Sequence, residues 1–242
     1  MLDDVLKEHR ISLYVQKVVK ITDWNHILHY EILSRIIQKG GKPLGARLFI
    51  PPAERLNIMP LIDRATLEEV MQLDTEKLPV KNIAVNISYA SLKDHSFWQW
   101  LQSALKGLPD SAPRIIFEFT ELCALHNSDL AKKFRDIVHG FGHAICLDHY
   151  GQVLSNLGYI KTLRPDYIKI DRAYTRELKD KESDSRFFID SLCSIARNID
   201  ISVIANGVET EQQVQILTDL NLYGLQGYIV EKPRPLKEIM QK

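Results

Sequence analysis

At 242 residues with 45% hydrophobic side chains, the chain can bury one large core of the size typical of a single α/β barrel domain. Lysine plus arginine equals aspartate plus glutamate at 31 each, so no global field favours a nucleic-acid polyanion, whereas a small dianion in a local pocket is compatible with that balance. No apolar stretch approaches the roughly 18 residues of a membrane span, no signal peptide is visible, and Met1-Leu2-Asp3-Asp4 suits either a native start or a domain cut from a longer chain.

Ile11 to Ile21 and Ile27 to Ile36 are apolar, β-rich runs. The five residues Thr22-Asp23-Trp24-Asn25-His26 between them are too few for the dozen or so of a parallel crossover, so an antiparallel hairpin is expected. Helix and strand then alternate: helix Pro60 to Leu73, strand Asn82 to Ser88, helix Phe97 to Leu105, strand Arg114 to Glu118, helix Asn127 to His139 and strand Ala144 to Asp148. A helical turn or short helix from Leu154, strand Tyr167 to Ile170, helix Ser183 to Asn198, strand Ser202 to Ala205, helix Glu211 to Leu220 and strand Tyr223 to Gln226 complete the series. The class is α/β, a TIM-like barrel variant with one antiparallel strand at its start. The alternative is an open doubly wound sheet, but no Gly-x-Gly-x-x-Gly loop follows an early strand. Without linker, repeat or low-complexity segment, residues 1–242 read as one domain.

Glu31, Asn86, Glu118, Asp148, Lys169, Asn206 and Gln226 each lie at or just past the end of an apolar run, as a barrel's C-terminal rim requires when it carries a site. Taken singly, Glu31 or Arg35 reads as a solvated charge at a strand end. His149 beside Asp148 reads as a satisfied hydrogen-bonding residue sooner than as a metal ligand. Phe97, Trp98 and Trp100 suit packing under a surface helix, and Arg172 to Arg186 a solvated loop and helix start. Lys169 is out of place on a strand, which favours a site role. Cys123, Cys146 and Cys193 sit in apolar contexts without metal-ligand spacing; the odd count fits a reducing compartment, and inert core thiols are expected.

Glu31-Ile32-Leu33-Ser34-Arg35 resembles the signature of EAL domains, the cyclic-di-GMP phosphodiesterases and their non-catalytic relatives. Similar in order and spacing are Phe49 to Glu54, Asp63-Arg64, Val85 to Ser88, Phe117 to Glu121, Leu147 to Gly151, Tyr167 to Asp171, Ala205 to Thr210, Leu225 to Tyr228 and Lys232-Pro233. The resemblance covers residues 10 to 236. It implies that Glu31, Asn86, Glu118 and Asp148 match metal-ligand positions, where active members use two divalent ions to make hydroxide. It also implies two departures. His149 stands where the family has the second aspartate of an Asp-Asp pair, and Asn206 where it has the glutamate that activates water; a carboxamide cannot take a proton. Loss of a general base alone is worth about a hundredfold to ten-thousandfold in rate.

For binding, the resemblance gives Arg35 and the Leu33 backbone to a phosphate, and Gln16 and Asp63 to guanine edges. Gly227, Tyr228 and Pro233 line the second base, and Glu31, Asn86, Lys169, Asn206, Gly207 and Gln226 complete the binding set. The segment Tyr150 to Gly158 departs from the family's loop after the aspartates and is expected to take part in a homodimer. Lys181 to Ile189, Leu222 to Gly227 and Ala46 to Phe49 resemble the LapD-type receptor branch, although the signature glutamate that this branch often lacks is present as Glu31. The expectation is a cytoplasmic, catalytically degenerate cyclic-di-GMP receptor domain, joined to upstream GGDEF-like and membrane-anchored domains. No cofactor is required, at most a residual magnesium, manganese or calcium ion is held, and nucleic acid is no partner. The alternatives are a slow or metal-shifted phosphodiesterase and a nucleotide-independent scaffold.

Overall fold

The computed structural model describes residues 10–153, 158–178 and 183–240. Strands β1 (Ile11–Lys20) and β2 (Asp23–Ile37) form the expected hairpin, pairing antiparallel from Ile11 with Ile36 to Lys20 with Asp23. Strands β4 (Asn82–Asn86), β5 (Arg114–Thr120), β6 (Ala144–Tyr150), β7 (Tyr167–Ile170), β8 (Ser202–Ala205) and β9 (Gly224–Leu225) follow in parallel from β2. β9 then pairs antiparallel with β1, so among the described residues eight strands close on themselves and one of them, β1, is reversed. The short β3 (Pro43–Leu44) and β10 (Arg234–Pro235) extend β2 and β1 at the edge.

Strand alternation separates two environments. Outward residues such as Val85, Phe117, Leu147, Ile168 and Val203 are buried beneath the helices in the main apolar cluster. Inward residues form two smaller groups, Ala84, Ile116, Ala144 and Cys146 on one side and Val18, Leu28 and Ile204 on the other, with Tyr167 touching both. A register irregularity around Val18 and Val19 lets Leu28 join this lining next to buried His29. The apolar plug is a floor; the polar residues sit one layer above it.

The helices begin where the sequence offers caps. Asp94 accepts from the Ser96 and Phe97 N–H groups to open α4 (His95–Lys106), Asn127 caps α6 (Ser128–Gly140), Ser183 caps α9 (Asp184–Arg197), and Thr210 with Gln213 forms a capping box on α10 (Glu211–Asp219). The expected helix at Pro60 to Leu73 is α2 (Met59–Met71). Four helices were not expected: α1 (Ala46–Arg55), α3 (Tyr89–Lys93), α5 (Glu121–His126) and α8 (Arg172–Glu177), the last within the stretch read as a solvated loop, where Thr175 and Leu178 are in fact buried. In α1 the pair Pro51-Pro52 reads as a breaker because each ring removes an internal hydrogen bond. The helix forms because Phe49 and Ala53 are buried against Ile36, Met59 and Ile62. The other three are five or six residues long, shorter than a periodicity can show. The helix expected from Leu154 falls partly outside the described residues; its described part is α7 (Gly158–Leu163). Lys181 and Glu182 also lie outside them.

Phe97 is buried, and Trp98 and Trp100 pack on the main cluster, as a surface helix requires. Among the described residues no helix is long and apolar enough to cross a membrane. Gly227 sits where a side chain has no room, because an added Cβ would overlap the Val208 carbonyl and amide. Gly227→Ala is expected to lower stability by about 1–3 kcal/mol, the usual cost of overpacking, measured by urea unfolding.

Candidate functional site

The barrel's polar layer is organised by one cation. Lys169, inward on β7 and fully buried, donates from Nζ to Glu31 Oε2 and to Glu118 Oε2, each at 2.7 Å. Glu31 also accepts from Asn86 Nδ2 at 2.8 Å and from Gln226 Nε2 at 2.7 Å, and Gln226 reaches Gln16 Oε1 at 3.3 Å. Gln16 in turn donates to the Glu231 carbonyl at 3.0 Å. Residues from β1, β2, β4, β5, β7 and the end of β9 are thus tied through one carboxylate.

Burial sets the charge state of this layer. It pushes the Glu118 carboxyl up to about 8, against the pull of Lys169 and with the repulsion of Glu31 and Asp148 added. Burial also opposes ionisation of Glu31, but Lys169, Gln226 and Asn86 hold it down at about 2. His29, below them with its Nε2 3.9 Å from Glu118, is pushed down to about 3 by burial and by Lys169. Lys169 thus keeps Glu31 as its ionised partner, while burial favours the proton on Glu118 and the neutral imidazole of His29. The floor therefore carries less negative charge than its carboxyls would in water, which suits a dianion above it.

Over this floor opens a cavity of about 650 Å³. Gln16, Glu31, Leu33, Arg35, Asp63, Asn86, Asp148, His149, Asn206 and Gln226 all contribute to its wall, so the structure brings together most of the binding set that the sequence offered. Lys169 and Glu118 lie beneath the floor without exposure. Gly207, Gly227, Tyr228 and Pro233 are outside the wall; Tyr228 is 59% exposed, and Gly207 turns at φ +71 against Arg172. Arg35 stands over the Tyr14 ring at 5.2 Å and donates to the Ser34 carbonyl. Arg35 also contributes to the cavity wall, and its guanidinium fork suits an anion.

The apolar half of the wall was not read from the sequence. Phe49, Ile50, Met59, Ile62, Tyr89, Leu122 and Cys123 extend the cavity away from the polar layer, supplied mainly by the helices around the prolines and after β4 and β5. Cys123 accordingly is not a core thiol: it is half-buried on this wall, accepts from Thr120 Oγ1, and burial raises its thiol. Cys146 and Cys193 are buried as expected. Leu122, half exposed beside the cavity, could have been found only by knowing that the turn after Thr120 is helical.

His149 has a specific setting. Its backbone is left-handed at φ +54, its Nδ1 is 2.7 Å from Asp171 Oδ2, and its Nε2 is 3.4 Å from Asp148 Oδ2. Asp171 also accepts from Gln152 Nε2 and the Ala173 N–H, capping α8 (Arg172–Glu177). Asn206 contributes to the cavity wall, and its backbone carbonyl accepts from Thr175 Oγ1. The neighbouring Gly151 is packed so closely that an added Cβ would come 2.6 Å from the Tyr174 ring, and Tyr174 Oη donates to its carbonyl. The described part of the Tyr150 to Gly158 segment is thereby fixed to α8 and α9; residues 154–157 lie outside the described set.

The family profile of the EAL domain matches residues 1–233, and the chain belongs to that family. It is 25% identical over 236 residues to the cyclic di-GMP phosphodiesterase PdeB of Shewanella oneidensis, covering 96% of this chain and 27% of that protein. With the cyclic di-GMP phosphodiesterase PdeA of Borreliella burgdorferi the identity is 28%, covering 96% and 35%. The chain thus spans about a third of the length of these relatives. Among solved structures, the PaMucR phosphodiesterase in complex with c-di-GMP superposes with a TM-score of 0.86 at 26% identity, covering 98% of this chain and 97% of that one. The Vibrio cholerae LapD S helix-GGDEF-EAL structure bound to c-di-GMP also gives 0.86, at 27% identity, covering 95% and 55%.

The family implies a pair of divalent ions, and the residues present do not fit that pair. Among the described residues no three His, Cys, Asp or Glu side chains are grouped to hold an ion by themselves. The ammonium of Lys169 already lies between Glu31 and Glu118, and His149, beside Asp148, offers an imidazole bonded to Asp171 and no hard oxygen.

Asp63 offers a pH test. Its Oδ2 accepts from the Ser88 N–H at 2.8 Å and from Ser91 Oγ at 2.6 Å, and burial raises its carboxyl to about 6 against those bonds. Because the folded value exceeds the ordinary 3.8, its contribution to stability is fully present below pH 3.8 and is lost as pH rises through about 6. Asp63→Asn is expected to remove that decline, measured as unfolding free energy against pH for variant and wild type.

Proposed function

We propose that this chain is a cyclic-di-GMP receptor domain with little or no phosphodiesterase activity. The observation that carries the reading is Asn206, a residue that cannot take a proton, among the lining of a cavity furnished for a dianionic ligand, where the resemblance sets a water-activating glutamate. The cavity lies in the range of roughly 300–1,000 Å³ typical of small-ligand sites. Arg35 supplies the fork for a phosphate, Gln16 and Asp63 supply edges for a base, and the apolar wall from Phe49 to Leu122 accepts a flat aromatic group. The ammonium of Lys169 between Glu31 and Glu118 lessens the repulsion that the floor would offer a phosphate. Relatives whose structures contain c-di-GMP on the same fold support the choice of ligand.

The wider reading is of a LapD-like module on the cytoplasmic side of a membrane protein, preceded by GGDEF-like and anchoring segments and acting as a homodimer. The likeness to the LapD structure and the third-length coverage of the relatives support it. The second reading is a slow phosphodiesterase, favoured by Glu31, Glu118, Asp148 and Lys169 and by the names of the relatives.

Calorimetry and product analysis on one sample separate these readings. Saturable binding of cyclic-di-GMP in chelator, with no pGpG formed when magnesium or manganese is added, is the expected result. Rapid formation of pGpG overturns it, and absence of binding leaves only the scaffold. The double variant His149→Asp/Asn206→Glu is expected to gain hydrolysis by at least the hundredfold that a general base is worth.

A further inference from the structure

The turn that carries Asn206 is held from outside its own strand. Strand β8 ends at Ala205, which pairs with Ile170, so the carbonyl of Asn206 lies past the ladder and must find its donor elsewhere. Thr175, fully buried on α8, supplies it: its Oγ1 is 2.8 Å from the Asn206 carbonyl and 3.0 Å from that of Arg172. A threonine in a helix ordinarily gives its one hydroxyl hydrogen to the carbonyl three or four residues back, and here the contact outside the helix is the shorter. Gly207 follows at φ +71, where an added Cβ would come 2.8 Å from Arg172 Cβ, so the turn rests directly on the first residue of the same helix.

The tether continues beyond Thr175. Its own carbonyl accepts from Gln213 Nε2 at 2.8 Å, and Gln213 Oε1 accepts from the Glu209 and Thr210 N–H groups at 2.8 and 3.0 Å. Residues 206–210 are therefore tied to α8 at both ends, at Asn206 through the Thr175 hydroxyl and at Glu209 and Thr210 through Gln213. Toward β6, Asp171 at the cap of α8 lies 2.7 Å from His149 Nδ1, and Tyr174 Oη donates to the Gly151 carbonyl. One six-residue helix thus sets the spacing between the cavity wall at the end of β6 and the wall at the end of β8. General stability would be served as well by valine, which fills similar space without a buried hydroxyl to satisfy; what threonine adds is a directed bond from α8 to Asn206.

We propose that Thr175 is a positioning residue for the cavity: its hydroxyl fixes the Asn206–Gly207 turn to α8 and so sets the affinity for the dinucleotide from a buried place outside the cavity wall. The affinity part rests on the receptor reading; the tether does not. Without the hydroxyl, the Asn206 carbonyl loses its side-chain donor. The turn then keeps its bonds at Val208, whose N–H donates to the Gln226 carbonyl at 3.1 Å and whose carbonyl accepts from the Ile229 N–H at 3.2 Å. Asn206 is displaced relative to the His149 side of the cavity, and the ligand meets a wall of altered width.

The test compares three variants with wild type. Thr175→Val removes the hydroxyl and keeps the bulk, Thr175→Ser keeps the hydroxyl, and Gln213→Glu keeps an acceptor for Glu209 and Thr210 while losing the donor to Thr175. Each is followed by urea unfolding, by amide hydrogen exchange at Val208 and Glu209, and by calorimetric titration of cyclic-di-GMP in chelator where every variant is folded. Thr175→Val and Gln213→Glu are each expected to weaken the dinucleotide by about five- to tenfold. Both are expected to speed exchange at Val208 and Glu209 by more than their loss of global stability accounts for, and Thr175→Ser to stay near wild type in both readouts. An affinity of Thr175→Val within about twofold of wild type, or exchange that rises only in step with global stability, overturns the proposal. If Thr175→Val does not fold, Gln213→Glu decides by the same two readouts. If wild type binds no dinucleotide, the receptor reading falls and exchange decides the tether: faster exchange in Thr175→Val but not in Thr175→Ser supports it, and unchanged exchange overturns it.

Discussion

An ammonium group sealed inside a closed barrel has to be neutralised where it stands, and the site follows from how that is done. Lys169 cannot reach water, so Glu31 and Glu118 are drawn to 2.7 Å on either side of it. Once Glu31 is fixed, its second contacts fix Asn86 and Gln226, and Gln226 fixes Gln16. A single buried ion cluster thus sets the side-chain geometry of the cavity floor across the sheet. Closure of the barrel by β1 makes this possible, because reversed β1 brings Gln16 opposite Glu31 and seats β9, with Gln226 beyond it, against the opposite edge.

The same cluster limits what the cavity can do. Burial raises Glu118 and Asp148 while Lys169 holds Glu31 ionised, so the floor carries less negative charge than three carboxyls would in water. The wall above it offers a carboxamide at Asn206 and an imidazole engaged with Asp171. In the proposed reading, recognition and hydrolysis draw on different parts of one cavity, and only the first is kept.

Much of this was legible in the sequence because it depends on alternation. The hairpin followed from five intervening residues, and the parallel strands from apolar runs spaced by amphipathic helices, giving a barrel with one reversed strand. Glu31, Asn86, Asp148, Asn206 and Gln226 were legible because each ends an apolar run and so must sit at the rim. The partners within the rim were not: that Lys169 neutralises Glu31 and Glu118 from below depends on strand stagger, which periodicity does not carry. The Asp171 contact to His149 was hidden for a similar reason, since the two are 22 positions apart and meet only because β7 pairs beside β6. Helix α1 was obscured by its prolines, and with it the apolar wall that Phe49 and Ile50 provide.

The dependence on the buried ammonium is most directly measured by replacing Lys169 with methionine and following urea unfolding from acidic to neutral pH. Removing the cation while Glu31 and Glu118 remain is expected to cost about 3–5 kcal/mol at neutral pH, and less in acid, where both carboxyls are protonated. A Lys169→Met chain as stable as the wild type at neutral pH would contradict the account.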